Sequence, residues 1–408
     1  MYDLLKGMRV VEGSAFVAGP SCALYLAQMG AEVIRFDNIG GGPDFERWPL
    51  AKESGKSLYW EGLQKGKKSI AINLGSPEGR ELAAQLATAP GPEGGIFVTN
   101  YPVEGFLSYE KLKARRADLI CMRVMGWADG SPAVDYTVAA ASGIPFMTGP
   151  TEYDGPVNSM LPAWDLLTGA YGAFAILAAE RKRRETGEGT EIRAPLSDIL
   201  AATMSNLGNV AEVFTTGRDR PRLGNALFGA FGRDFKTADG QRLIIIAITP
   251  RQWKGMLKML DIAAPVAALE AEVGVDFAKN EGARFTHRDR LFPLVEQGCA
   301  KHTLAALGAG LDAEGVTWGP YQTTHQAVTQ DKRLFTENPI FQTITQPSGL
   351  TYPAAGAAAT LAGHTRQPVQ PGPRLGQHTD EVLANVLKLS AGEIGKLHDA
   401  GTVASAGK

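Results

Sequence analysis

The first thirty residues constrain the fold more than any other stretch of the chain. Residues 8–12 (MRVVE) read as a short buried strand and residues 13–20 as a loop. Residues 21–29 read as a helix capped by Ser21 and stopped by Gly30, and residues 32–37 as a second strand. Strand, loop, helix, glycine and strand at this spacing form a βαβ unit, the signal of a doubly wound α/β fold with a Rossmann-like sheet. The pattern returns in strands at 69–74, 96–100 and 119–125. Another helix opens with Ser76 as cap and Pro77 at its first position. A long helix spans 162–184 before Gly187 and Gly189.

Beyond about Pro221 the texture changes to a glycine-bearing loop, a hairpin turning at Asp239-Gly240, and helices alternating with loops to Glu296. A single core stops growing well below 408 residues. The expected division is a large domain from 1–224 and 335–408, with an inserted smaller α+β domain at 225–334. From about Asn338 the chain is rich in Pro, Gly and Ala without clear helices. A helix is expected from Thr379, followed by a loose tail, AGTVASAGK.

With 43 acidic and 41 basic residues the net charge is −2, which argues against a nucleic-acid partner. Cys22, Cys121 and Cys299 are too scattered for a disulfide frame or a zinc site, and the six histidines show no ligand spacing, so no metal is expected. The start lacks an apolar secretory core, and no uncharged apolar run reaches the ~18 residues of a span. A cytoplasmic enzyme without a membrane partner is the expectation.

Three places could carry chemistry. The first βα loop, Gly13 to Pro20, lies where such sheets bind ligands, against the plain reading of a connecting turn. It lacks GxGxxG, which leaves Asp37 little support as a ribose acid and argues against a nicotinamide enzyme. Lys65-Gly66-Lys67-Lys68 packs three cations around a glycine, as a phosphate site or only a solvated face. Asp165 follows Pro162 near a helix start, where the dipole and free N–H groups favour a carboxylate. It could simply support the helix. Its apolar neighbours Leu161, Trp164, Leu166 and Leu167, and the small residues Gly169 and Gly172, point instead to a sheltered nucleophile or base. Trp127, Trp253 and Trp318 fit core packing at least as well as ligand stacking.

At these residues the chain resembles the class III CoA-transferase family, which includes formyl-CoA transferase and α-methylacyl-CoA racemase. The blocks that carry the resemblance are LKGMRVVEGSAFVAGPSCALYLAQMGAEVIRFD, LQKGKKSIAINLGSPEGRELAAQL, VTNYPVEGFLSYEKLKAR, AVDYTVAAASG, AILAAERKRRETGEGTEI and PRLGQHTDEVL, in family order across nearly the whole chain. The resemblance implies an interlocked homodimer, a small-molecule acyl-CoA substrate, and no tightly bound cofactor beyond the CoA of that substrate. It implies Asp165 as the catalytic aspartate, attacking as a nucleophile. CoA would lie along Val17, Ala18, Ile72, Asn73, Leu74, Asn100, Tyr101, Asp135 and Tyr136, with Lys68 of the lysine cluster added. Val17 stands where formate–oxalate transferases carry glutamine, and Asn38 where they carry an arginine near the adenosine. Pro-Val-Glu-Gly replaces Phe-x-Pro-Gly after Tyr101. Val134 stands where racemases carry a proton-transferring histidine.

Within the family the likeness implies transfer of CoA between the C1 and C4 carboxyls of one mesaconyl-CoA molecule. Transfer between separate small dicarboxylic acids, or racemisation of an α-methylacyl-CoA, are the alternatives. Intramolecular transfer needs a cation for the substrate's free carboxylate. Arg47, in GGGPDFERWPL, is the candidate, against a surface pair with Glu46 or Asp44. Backbone N–H groups near Val17 and from Gly229 to Gly232 are candidate oxyanion donors.

Overall fold

The computed structural model describes residues 1–406. Strand β1 (Arg9–Gly13), helix α1 (Ala18–Gln28) and strand β2 (Glu32–Asn38) form the opening βαβ unit. Helix α1 starts three residues before the expected cap. Pro20 occupies its first turn, where a missing N–H costs nothing. Ser21 therefore lies inside the helix, buried, with no partner for its hydroxyl among the described residues. The chain continues through α2 (Leu58–Leu63), β3 (Lys68–Ile72), α3 (Pro77–Ala87), β4 (Ile96–Thr99), α4 (Tyr109–Lys113), β5 (Ile120–Met125), α5 (Asp135–Ala141) and α6 (Ile144–Met147). Next come α7 (Ala163–Thr186), β6 (Thr190–Pro195), α8 (Leu196–Asn206) and α9 (Asn209–Thr216). Ser76 caps α3 by accepting from the Gly79 N–H, as its sequence predicts.

The main sheet runs β3-β2-β1-β4-β5-β6, all parallel, with strand order reversing between β1 and β4. Alternate side chains go to opposite faces. Val10, Val33, Ile96, Val98, Ile120 and Met122 pack under α1 and α7. Val11, Ile34, Phe36, Ile70, Phe97 and Cys121 form the other face, under α3 and α4. At about 1.5–3 kcal/mol for each fully buried aliphatic or Phe side chain, these two layers are the main force holding the sheet.

The residues from Asn338 on return to this sheet. They hold a hairpin, Phe341–Thr345 with Thr351–Ala355, in the stretch expected to be irregular; the alternating FQTIT pattern marks it in retrospect. The tail expected to be loose is ordered as far as it is described. Val403–Ala404 pairs antiparallel with the outer edge of β3. Val403 is buried among Ile72, Val382 and Leu383, an apolar anchor hidden in a polar-looking segment.

Contacts divide the chain into two units. One holds Met1–Ser142, Ser159–Gly217 and the residues from Asn338 on; the other holds Gly143–Asn158 and Arg218–Glu337. The second therefore takes in 335–337 and, together, 143–158 and 218–224, all assigned to the large domain on sequence. Arg222 ties the last two: its guanidinium donates to the carbonyls of Phe146 at 3.1 Å and Gly155 at 2.6 Å. This unit has a three-stranded antiparallel sheet, Gly232–Lys236, Arg242–Ile246 and Thr317–Pro320. Trp253 is fully buried in its core against Phe231 and Phe277, so core packing accounts for it. Among the described residues no helix is long and apolar enough to cross a membrane.

Candidate active site

The order reversal between β1 and β4 opens a crevice at the carboxyl ends of the strands, where ligands of such sheets bind. Two loops meet there. Asn100, just past β4, accepts from the Ala15 N–H at 3.2 Å and donates to the Ala15 carbonyl at 3.1 Å, tying the first βα loop across the gap. Behind them lies a cavity of about 840 Å³. Its lining includes Phe16, Val17, Ala18, Arg47, Tyr59, Asn100, Tyr101, Arg123, Asp135, Tyr136 and Asp165.

Asp165 is the third residue of α7 and partly buried. Asp135, 97% hidden from solvent at the start of α5, caps that helix from outside. Its Oδ2 accepts from the N–H groups of Trp164 at 2.7 Å and Asp165 at 2.9 Å. That frees the Asp165 side chain from capping and leaves a second negative charge beside it. Burial, and after it Asp135, push the Asp165 carboxyl up to about 7, while Arg47 pulls the other way. Helices α1 and α7 can approach closely because residue 169 is glycine. A Cβ there would sit 2.9 Å from the Ala18 carbonyl oxygen and from the Ser21 Cβ.

Arg47 has no ion pair among the described residues. The surface-pair reading fails because Asp44 is fully buried and bound to Arg35 at 2.8 Å. The Arg47 guanidinium lies 5.4 Å from the Phe16 ring centre and 5.5 Å from that of Tyr59. Two aromatic faces thus flank the cation.

Of the residues expected along CoA, Val17, Ala18, Asn100, Tyr101, Asp135 and Tyr136 line this cavity. The Asp135 carboxylate is occupied by α7. Ile72, the last residue of β3, is buried in the core and is not in the lining. Asn73 and Leu74 share the strand-end edge but are engaged with Gly401 and Asn38. Lys68 is a correction. It opens β3, at the opposite end of the strand from the ligand edge, and bridges Glu32 and Glu381, each at 2.7 Å. The lysine cluster does not converge: Lys65 donates to the Ala355 carbonyl, and Lys67 is buried against Glu12 and the Pro20 carbonyl. Asp37 is likewise consumed, held at 2.7–2.8 Å by Arg35. Gly229 and Gly232 belong to the second unit.

Three residues here were not singled out on sequence. The Tyr59 hydroxyl is buried without a partner among the described residues, and burial pushes it up to about 12, so it stays a donor. Arg123 reaches from β5 to the carbonyls of Tyr101, Pro102 and Leu107 at 2.7–3.0 Å, fixing the loop after β4. Asp44 accepts from the Phe16 N–H at 3.0 Å. Only folding brings these partners together, and no local motif marks them.

A sheltered carboxylate beside an unpaired arginine can accept an acyl group from a substrate that carries a second acid. The chain is 48% identical, over 99% of its length and 98% of the relative's, to 2-methylfumaryl-CoA isomerase of Chloroflexus aurantiacus. It is 26% identical, over 98% of its length and 90% of the relative's, to human succinyl-CoA:glutarate CoA-transferase. A crystal structure of a CAIB/BAIF family protein from Brucella suis shares the fold, with a TM-score of 0.74 at 24% identity, covering 95% of this chain and 100% of that one. The model of CoA-transferase family III matches residues 5–379, and with it the chain belongs to that family.

Proposed function

We propose that this enzyme moves CoA between the C1 and C4 carboxyls of one mesaconyl-CoA (2-methylfumaryl-CoA) molecule, with Asp165 as the transient acyl carrier. The observation that carries the reading is the pairing, in one cavity, of a sheltered carboxylate with a cation that has no acid of its own. The name of the Chloroflexus aurantiacus relative, 2-methylfumaryl-CoA isomerase, suggests the acyl group.

In this mechanism an Asp165 oxygen attacks the C1 thioester carbonyl. The C–S bond breaks, CoA leaves as thiolate, and a mixed anhydride remains. The thiolate attacks the Asp165 carbonyl of the anhydride and releases mesaconate, giving an aspartyl-CoA thioester. The C4 carboxylate then attacks that thioester and expels the thiolate. The thiolate finally attacks the C4 carbonyl and frees Asp165. Arg47 holds whichever carboxylate is not reacting, and keeping free mesaconate bound makes the return attack effectively unimolecular. Of the loop's N–H groups that of Phe16 is already taken by Asp44. Those opening α1 at Val17 and Ala18, with the Tyr59 hydroxyl, are the donors for the tetrahedral oxyanions, each worth about 10²–10³ in rate. CoA lies along Val17, Ala18, Asn100, Tyr101 and Tyr136. The three cysteines are free and buried, which fits a reducing cytoplasm.

We further place the enzyme as a homodimer. Leu167, Tyr171, Phe174 and Leu177 form an exposed apolar stripe on α7, and Val210, Val213 and Phe214 are exposed on α9. So large an uncovered apolar face supports a partner subunit. A monomer in light scattering at nanomolar concentration would refute it.

The decisive experiment is Asp165→Ala with mesaconyl-C1-CoA. Turnover should vanish while CoA-ester binding persists, and hydroxylamine added during wild-type turnover should modify Asp165. Isotope-labelled free mesaconate should not enter the product; rapid incorporation would make the transfer intermolecular.

A further inference from the structure

Beneath the cavity lies a buried network of five charged side chains that the reaction above does not use. Glu12, Arg35, Asp37, Asp44 and Lys67 are each at least 95% hidden from solvent. Arg35 binds Asp37 at 2.7 Å, Asp44 at 2.8 Å and Glu12 at 3.2 Å; Lys67 binds Glu12 at 2.7 Å. Such a cluster is costly to bury and is no stability device by default. Its links lead to the first βα loop and α1. Ser14 donates to Glu12 at 3.1 Å, and Lys67 donates to the Pro20 carbonyl at 2.9 Å.

The outermost member does most. Asp44 uses one oxygen for Arg35 and the other for the Phe16 N–H. Phe16 has φ +70°, a left-handed backbone that a bulky residue adopts only when its surroundings enforce it. Its ring is one of the two faces against which the Arg47 guanidinium rests. The chain also returns directly, because the Arg47 N–H donates to the Asp44 carbonyl at 3.2 Å.

We propose that Asp44 is a positioning residue for CoA transfer: anchored by Arg35, it locks Phe16 in its left-handed conformation and thereby places Arg47 opposite Asp165. This rests on the reading of Asp165 and Arg47 given above. Arg35 has three acids, so losing one leaves it partnered by Glu12 and Asp37, and the fold should survive Asp44→Asn.

The test is a double-mutant cycle of Asp44→Asn with Phe16→Gly, assayed on mesaconyl-C1-CoA. Asp44→Asn alone should lower kcat about tenfold or more, the scale of a lost hydrogen bond to a charged group, while affinity for free CoA changes less than about twofold. Glycine adopts φ +70° unaided and carries no ring, so in the Phe16→Gly background Asp44→Asn should cost less than about twofold. An equal cost in both backgrounds, or a parallel loss of CoA affinity, overturns the proposal. Should Asp44→Asn fail to fold, the ring decides. Phe16→Leu must show the loss and Phe16→Tyr must restore it, and no loss with leucine overturns the proposal. Asp165→Ala runs alongside. If it keeps turnover, the site reading has failed; if it is inactive while Asp44→Asn behaves as wild type, only the positioning role has.

Discussion

If Asp165 carries the acyl group, its proton sets the rate, and its surroundings set the pH at which that proton is lost. Burial and the neighbouring Asp135 raise the carboxyl from 3.8 to about 7. A single titration there leaves it about half ionised at pH 7, about a tenth at pH 6 and about a hundredth at pH 5. Only the carboxylate is a nucleophile. For the free enzyme, kcat/KM should therefore fall about tenfold per pH unit below 7, whereas an unperturbed aspartate would keep the profile nearly flat to pH 5. Two substitutions should move this limb in opposite directions. Asp135→Asn removes the adjacent negative charge and shifts it to lower pH; Arg47→Gln removes the compensating cation and shifts it to higher pH. Substrate phosphates also titrate in this range, but they cannot follow opposite shifts. Asp135→Asn should also cost about 1 kcal/mol of stability, since a neutral amide replaces the charged acceptor at the α7 N-terminus. The assay is chromatographic separation of the C1 and C4 thioesters at timed quenches from pH 5 to 8.5. A flat profile, or two variants shifting the same way, refutes the reasoning.

The same carboxyl makes a stability prediction. Its folded-state value lies above its unfolded value, so wild-type stability falls as pH rises from about 4 to 7. Asp165→Asn should therefore melt higher than wild type at pH 8, with the difference gone near pH 4; calorimetry at both pH values checks this. Arg47→Lys should lower kcat/KM for mesaconyl-C1-CoA by up to about 3 kcal/mol, because a point charge replaces a fork. Free-CoA affinity should hardly change, and calorimetric titration with CoA separates the two. Gly169→Ala should cost about 1–3 kcal/mol in denaturant melts, as the new methyl forces α1 from α7. It should depress kcat as well, since Val17 caps α1 and α7 carries Asp165.

Much of this was readable from local pattern. The opening βαβ unit, the Ser76 cap and the Asp239-Gly240 hairpin each rest on a few adjacent residues. Asp165 was readable because Pro162 and the apolar neighbours fix its place in a first turn. The errors share a cause. Lys65, Lys67 and Lys68 looked like one site because they are adjacent in sequence, yet they donate to Ala355, Glu12 and Glu32, in three separate places. Tyr59 and Asp44 were invisible because what makes them interesting, an unpaired buried hydroxyl and a grip on Phe16, exists only after folding. Val403 was missed because one buried valine leaves no periodic trace.

That valine has a consequence for biosynthesis. Strand β3 is synthesised well before Val403–Ala404, and its outer backbone edge waits for that segment. The Asn73 side chain reaches the Gly401 carbonyl across 328 residues. Until that segment leaves the ribosome, the nascent chain presents an open, apolar strand edge, the kind of template on which unfinished chains aggregate. Truncation before Thr402 would make that exposure permanent. Such a protein would be expected to retain its interior strands and yet precipitate or demand chaperones, a defect of solubility arising some distance from the chemistry.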